Sequence, residues 1–244
     1  EDNLKYISNF TGSAGFAVIL KNKNLMFVDG RYTTQASIQC GTDYKIYTIP
    51  KNYPFNVLNN KKLNLGFDPK LHTENSLKKL FKNSVINLKP INENLIDMLW
   101  KRKKDSNVKP FYLIKDNDAG EKIENKLSKL RKLIALSKVD YLFTTAPENV
   151  AWLLNIRGHD TDYSPLPNSH IFVGKNNEIS LFCNLKKINK SLRSKLNEKI
   201  KIYNFNQLSS FISNLSNKKI LVDVLTCSIY FKTLINKNNL VIER

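Results

Sequence analysis

The sequence predicts an α/β protein built from two tandem domains, each a mixed β-sheet with flanking helices. Apolar runs of strand length alternate along the 244 residues with segments whose apolar residues recur at helical spacing. The order hairpin, strand, helix, strand, helix, strand occurs twice, and one strand in each copy ends in an aspartate, Asp68 or Asp223. Strands that alternate with helices favour a sheet covered by those helices.

In the first copy, two short apolar strands are joined by a polar turn at 21–24. The predicted strands are 16–20, 25–28, 44–49, 61–68 and 85–88, and the predicted helices are 55–58 and a segment containing Leu77, Leu80 and Phe81. A last apolar pattern closes at Trp100, and the polar stretch 101–110 follows. We therefore expect a linker in this stretch, with domains at 1–105 and 106–244.

The second copy repeats this order after an additional helix and strand. Its predicted strands are 139–143, 171–173, 179–182, 201–205, 218–223 and 240–242, and its helices are 123–134, 150–154, 208–215 and a segment containing Tyr230, Phe231 and Leu234. We expect Asp118 and Glu121 to cap the first of these helices. Thr145 and Glu148 have the same spacing, and Pro147 suits the first turn of the helix that should end near Gly158.

The composition limits the class of protein. A net charge of +18 could indicate nucleic-acid binding, but the lysines are spread along the chain and no nucleic-acid module is recognisable, so we expect a solvated surface and no specific nucleic-acid or membrane partner. The N-terminal residues do not resemble a secretion signal, and the three cysteines are widely separated. This predicts a cytoplasmic protein with reduced thiols.

Two glycine-containing segments could carry a site. Residues 11–15 precede a strand and lack the spacing of a phosphate loop, which favours a tight structural turn. Asp29, Gly30, Arg31 and Tyr32 follow a strand, where Arg31 could donate to a carboxylate or a carbonyl, or could simply pair with Asp29. These two interpretations of Arg31 remain open.

No convincing active site is visible. His159, Asp160, Asp162 and His170 have the chemistry of metal ligands, but they fall mostly in an irregular segment without helical spacing, so we expect no metal site. No nucleophile lies near a histidine in a recognisable motif. We therefore expect no catalytic residue.

Several separated segments nevertheless resemble the aminopeptidase P family. They are Tyr6 to Gly15, Phe27 to Tyr32 with Gln35 and Ala36, Leu65 to Pro69, Asn94 to Trp100, Asp140 to Thr145, and Glu148 to Gly158 with Asp160 and Pro165. The chain resembles the two creatinase-like N-terminal domains of the three-domain form of that family, which implies a ribonuclease H-like α/β fold for each. Asn9 and His159 depart from the family pattern.

The resemblance implies a function that resides partly outside this chain. The family's third domain binds two Mn or Zn ions and removes an N-terminal residue that precedes proline. The present chain would be non-catalytic and would need no cofactor of its own. It would narrow access to the active site and join subunits, as a homodimer, with Asp29, Arg31, Tyr32 and Arg157 facing the substrate or a partner. The alternatives are a stand-alone binding or regulatory module and, less favoured, a nucleic-acid binder.

Overall fold

The computed structural model describes residues 2–59, 61–101, 108–196 and 200–244. The chain divides into two compact units, residues 1–103 (unit 1) and 104–244 (unit 2). The boundary that we predicted between residues 105 and 106 falls in 102–107, outside the described residues, so it stays a prediction. Within the described ranges, no helix combines the length and apolar character needed to cross a membrane.

Unit 1 contains two sheets. A three-stranded sheet has the order β1-β2-β3, with β1 antiparallel and β3 parallel to β2, and a second sheet pairs β4 with β5 in parallel. The strands are β1 (Gly15–Leu20), β2 (Lys23–Asp29), β3 (Tyr44–Ile49), β4 (Asn64–Phe67) and β5 (Asn87–Pro90), and the helices are α1 (Asp2–Ser8), α2 (Thr33–Cys40), α3 (Pro54–Val57), α4 (Glu74–Leu80) and α5 (Leu95–Leu99). The α/β class is confirmed, but these strands form two sheets where we expected one.

Strand β2 organises unit 1 because it is buried on both faces. Leu25 and Phe27 lie in one apolar cluster, and Met26 and Val28 lie in the other. Side chains of a strand alternate between its two faces, so four consecutive apolar residues supply two cores. Each fully buried side chain of this size stabilises the fold by roughly 1.5–3 kcal/mol.

Unit 2 contains one six-stranded mixed sheet and a small two-stranded sheet. The large sheet has the order β11-β10-β9-β7-β12-β13, and the small one pairs β6 with β8. The strands are β6 (Tyr112–Leu113), β7 (Tyr141–Thr144), β8 (Ile156–Arg157), β9 (Ser169–Gly174), β10 (Ile179–Cys183), β11 (Ile200–Asn204), β12 (Lys219–Val222) and β13 (Leu240–Glu243). The helices are α6 (Asp116–Ala119), α7 (Ile123–Leu136), α8 (Pro147–Leu154), α9 (Lys190–Lys195), α10 (Leu208–Asn214) and α11 (Ile229–Ile235).

The sheet of unit 2 separates two cores. One surrounds Leu127, Val150 and Leu181 and includes residues from α7 and α8, while the other surrounds Phe143 and Phe182 with residues from α10 and α11. Strand β9 is antiparallel to both β10 and β7, and β7 is parallel to β12. This mixed sheet with helices on it is the arrangement that we predicted for a domain.

Both predicted capping boxes in unit 2 are wrong. Asp118 lies inside α6, which ends at Gly120 in the left-handed conformation, and α7 begins after Lys122 without a side-chain cap. Ala146 precedes α8, and the Thr145 hydroxyl donates to the carbonyl of Thr226. The Thr145 side chain donates to this distant carbonyl and does not cap α8. The helix predicted over 123–134 is present as α7, and Asp118 lies in the separate short helix α6. Pro147 does occupy the first turn of α8, as predicted.

A buried lysine connects α7 to the end of α8. The Nζ of Lys126 donates to the carbonyl of Trp152 at 2.7 Å and to Oδ1 of Asn155 at 2.6 Å. Asn155 is in the left-handed conformation, with φ of 52°, and its Nδ2 donates to the carbonyl of Glu121. Burial lowers the pKa of Lys126. The Asn155 side chain therefore satisfies the ammonium group while its backbone ends the helix.

His170 is enclosed by aromatic rings. The rings of Phe143, Phe205 and Phe231 lie 5.3–6.2 Å from it, centroid to centroid. Its Nδ1 lies 3.1 Å from the carbonyl oxygen of Thr145. Burial lowers the pKa of His170, because the charged imidazolium loses hydration among the phenyl rings.

We predict that Asn155→Ala destabilises unit 2 more than Asn155→Gly does. Both variants lose the amide contacts, which should cost about 1–3 kcal/mol in the free energy of unfolding. Only alanine adds strain in the left-handed conformation, roughly 1–2 kcal/mol. Urea unfolding of both variants measures the difference. Equal stabilities would show that the backbone conformation at this position relaxes without cost.

We predict that unit 2 loses stability as the pH falls below the ordinary histidine pKa of 6.5. The folded-state pKa of His170 is depressed, so the unfolded chain binds more protons, and the contribution is complete above pH 6.5 and is lost toward the folded-state pKa. His170→Phe should flatten this dependence. Unfolding of unit 2 can be followed by Trp152 fluorescence in a Trp100→Phe background. An unchanged pH slope in His170→Phe would contradict the assignment.

Candidate functional site

The most exposed of the predicted site residues lie on the turn after β2. Asp29 ends the strand, and one of its carboxylate oxygens accepts hydrogen bonds from the backbone N–H of Arg31 at 3.0 Å and from its Nε at 2.8 Å. The Arg31 side chain is 74% exposed and that of Asp29 is 41% exposed. The Asp29–Arg31 pair that we considered at this turn is therefore present. It holds Nε of the Arg31 guanidinium, while most of the side chain faces solvent.

The pair favours the charged state of both groups. The side-chain hydrogen bond from Arg31 lowers the pKa of Asp29, and the same bond raises the pKa of Arg31. Among the described residues, only Nε of this guanidinium has a hydrogen-bonding partner. The two Nη groups can thus donate to a carbonyl or a carboxylate oxygen, in the planar arrangement that arginine offers to such ligands.

Tyr32 is held more firmly than Arg31. Its hydroxyl is 2.8 Å from the Ser13 hydroxyl, and its ring meets the ring of Phe10 edge to face, with centroids 5.9 Å apart. The Arg31 guanidinium carbon lies 5.5 Å from the centre of the Tyr32 ring. Tyr32 therefore joins the exposed arginine to the turn at residues 11–15.

That turn is fixed by two glutamines that the sequence did not single out as site residues. Gln35 and Gln39 lie one helical turn apart on α2, and both amide groups donate to the Thr11 hydroxyl. The Gln39 oxygen also accepts from the backbone N–H of Thr11. The i, i+4 spacing of the two glutamines is the sequence feature that places them on one face of a helix. Side chains added at Gly12 or Gly15 would collide with the Phe10 ring, which supports the structural interpretation of this turn.

Arg157 has a different environment in unit 2. One of its Nη groups donates to the carbonyls of Ala151 at 3.0 Å and Ile156 at 2.9 Å. The side chain is half-buried, and β8 pairs it with Tyr112 of β6. This arginine thus joins α8 to β8, and one of its two Nη groups is used within the unit.

The four residues with metal-ligand chemistry do not converge. The His159 ring lies 5.5 Å from the Tyr112 ring, centroid to centroid. Asp160 forms an ion pair with Lys187 and accepts from the backbone N–H of Asn168, and His170 lies among phenyl rings. Asp162 is exposed. No group of three His, Cys, Asp or Glu side chains within the described ranges is arranged to hold a metal ion.

Comparison with known proteins identifies the chain's relatives. A probable Xaa-Pro aminopeptidase P of Coprinopsis cinerea is 30% identical over 226 residues, which are 88% of this chain and 36% of that protein. The Xaa-Pro aminopeptidase app-1 of Caenorhabditis elegans is 30% identical over 222 residues, again 36% of its length. The chain thus spans little more than a third of these relatives.

A solved structure agrees over nearly the whole chain. The X-prolyl aminopeptidase of Caenorhabditis elegans, described as a cytosolic enzyme with a di-nuclear active site, superimposes with a TM-score of 0.86 at 27% identity. The match covers 99% of this chain and 42% of that protein. The family described as the Creatinase/Prolidase N-terminal domain matches twice in tandem, over residues 1–98 and 101–244. The chain therefore belongs to the creatinase/prolidase N-terminal domain family and contains two such domains.

Proposed function

We propose that this chain is the non-catalytic N-terminal region of a cytoplasmic, metal-dependent Xaa-Pro aminopeptidase. The observation that carries the proposal is the extent of the similarity to the Caenorhabditis elegans enzyme, which covers 99% of this chain but only 42% of the enzyme. The remaining part of such a protein would hold the two metal ions, Mn or Zn, and would cleave peptides with proline at the second position. Metal ions of this kind would supply an activated water for hydrolysis of the peptide bond.

Within this proposal, the two domains control access to the active site of their own catalytic domain. Arg31 is the residue best suited to contact a peptide, because Asp29 orients its guanidinium through Nε and the side chain is 74% exposed. Tyr32 and Asp29 position it. Arg157 has the lesser role, since it already donates to two backbone carbonyls of unit 2.

We also propose that the domains contribute to subunit association in a homodimer. In unit 1, α5 leaves Leu95, Met98 and Leu99 each more than 60% exposed. Apolar side chains of this size in one short helix are typical of surfaces that become covered by another protein surface. The test is the oligomeric state of the full-length protein with these residues changed to serine.

We predict that the chain of residues 1–244 hydrolyses no Xaa-Pro peptide, with or without added Mn or Zn. The proposed metal ligands lie outside it, so nothing in it should generate a nucleophile from water. The same protein extended through its downstream coding sequence should be active and should lose activity to a chelator. Activity of the short chain would contradict the proposal, and an inactive extended protein without a metal-binding domain would favour a stand-alone binding module.

In the extended, active protein, we predict that Arg31→Ala lowers kcat/KM by about ten- to a hundredfold, the expected effect of losing one charge-assisted hydrogen bond to the substrate. Arg31→Lys should recover only part of the loss, because lysine keeps the charge but not the planar pair of donors. Steady-state kinetics on short and long Xaa-Pro peptides would measure both.

Lys21→Ala, which removes another exposed cation of unit 1, is the matched control and should leave kcat/KM unchanged. The folded state should survive each substitution, since the Arg31 side chain is largely in solvent. Wild-type kinetics for Arg31→Ala at both peptide lengths would show that Arg31 serves only its pair with Asp29.

A further inference from the structure

The guanidinium of Arg31 has one edge that the protein uses and one that it leaves to a ligand. A guanidinium presents planar N–H donors along two edges, one formed by Nε and an Nη group and the other by both Nη groups. In Arg31 the first edge is engaged, because Nε donates to Oδ1 of Asp29 at 2.8 Å. The described residues supply no acceptor to either Nη group. A ligand therefore meets the edge formed by the two Nη groups.

The shape of this free edge favours one kind of acceptor. Its two N–H groups point in parallel, so each can donate to one oxygen of the same carboxylate, in the bidentate pair that arginine forms with such groups. A peptide carbonyl has a single oxygen and cannot receive both donors in parallel. The donor arrangement of Arg31 thus suits a carboxylate better than the neutral carbonyl that the turn could also accept.

The residues around Arg31 orient the free edge before any ligand arrives. Oδ1 of Asp29 accepts from both the backbone N–H and the Nε of Arg31, at 3.0 and 2.8 Å. The guanidinium carbon lies 5.5 Å from the centre of the Tyr32 ring, and the hydroxyl of Tyr32 is 2.8 Å from that of Ser13. A donor pair held in this way loses less conformational entropy when a planar acceptor binds.

The charges at this end of the sheet also favour an anion. Strand β3 ends beside Asp29, and the exposed Lys51 follows it by two residues. The acidic residue that precedes β3, Asp43, lies at the opposite end of that strand. Asp29 is the one acidic residue in 29–32, and Arg31 already pairs with it. A carboxylate that approaches this turn thus enters the field of Arg31 and Lys51, in a chain of net charge +18.

We propose that Arg31 binds a carboxylate of the peptide substrate and so selects peptides that carry a negative charge at a fixed distance beyond the cleaved bond. This inference rests on the proposed function, since it names the ligand of the same site. Two sources supply the chemistry. One is the C-terminal carboxylate of a short peptide, and the other is an aspartate or glutamate side chain further along a longer peptide.

The test uses matched substrates with the extended, active protein. Xaa-Pro peptides of increasing length are made both as free acids and as C-terminal amides, so that each pair differs only in the terminal charge. A second series is amidated throughout and carries either glutamate or glutamine at each position after the proline. The value of kcat/KM is measured for both series with the wild-type protein, Arg31→Ala, Arg31→Lys and Lys21→Ala.

We expect the wild-type protein to prefer a charged peptide over its neutral match by about tenfold or more at one length or position, the effect of a charge-assisted hydrogen bond. Arg31→Ala should abolish this preference by lowering kcat/KM for the charged peptide alone. Arg31→Lys should retain part of it, because lysine keeps the charge without the parallel donors. The free-acid series and the glutamate series separate the two sources of the carboxylate.

Lys21→Ala is the matched control for charge. Lys21 lies in the turn between β1 and β2, at the opposite end of β2 from Asp29, so its removal takes the same charge from unit 1 without touching the Arg31 turn. The wild-type preference for charged peptides should persist in this variant. An equal decrease of the preference in Lys21→Ala and Arg31→Ala would reveal a long-range effect of net charge and would overturn the assignment to Arg31.

The remaining outcomes separate this inference from the proposed function. Equal losses of kcat/KM for charged and neutral peptides in Arg31→Ala would show that Arg31 contacts a neutral carbonyl, which overturns the carboxylate and leaves the peptide contact in place. Unchanged kinetics for every peptide would overturn the peptide contact as well. An extended protein that hydrolyses no Xaa-Pro peptide would contradict the proposed function and, with it, this inference.

Discussion

The burial of central strands on both faces is the constraint on which the rest of this structure depends. In unit 2, every residue of β10 is buried, and in unit 1 the run from Leu25 to Val28 is buried completely. A strand in that position must be apolar on both faces and must find backbone partners on both edges, since an unpaired buried amide is costly. The helices, the hairpins and the turn that carries Arg31 are all arranged around such strands.

The same constraint explains which parts of the fold could be predicted. Runs such as 25–28 and 179–182 stand out from the polar sequence around them, so the longer strands and their order were predicted correctly, whereas the two-residue strands β6 and β8 were not predicted. The N-terminal caps expected at Asp118 and Thr145 were not predicted correctly. A capping pattern is local in sequence, whereas the Thr145 side chain is engaged by a tertiary contact. The Thr145 hydroxyl found a carbonyl 81 residues away, which no local motif encodes.

The candidate site was predictable as a location and less so as a set of interactions. The Asp29–Arg31 pair follows from their spacing at a strand end, and the structure contains it. The i, i+4 spacing of Gln35 and Gln39 places both on one helix face, but it does not reveal their partner, because Thr11 lies 24 and 28 residues away along the chain. Arg157 could be placed at the end of a helix, but its use of backbone carbonyls became visible only with α8 and β8 in position.

The two arginines differ in how much of the guanidinium the fold engages. Arg157 donates one Nη group to the carbonyls of Ala151 and Ile156, and it lies half-buried in unit 2. Within the described residues, Arg31 engages only Nε. The residues behind it are fixed by the contact between the Tyr32 and Ser13 hydroxyls and by the hydrogen bond that the backbone N–H of Thr11 donates to Gln39. A donor group held by rigid neighbours loses less conformational entropy when it binds than a freely rotating one. Unengaged Nη donors on a guanidinium that Asp29 orients, rather than charge alone, make Arg31 the better candidate for contact with a peptide.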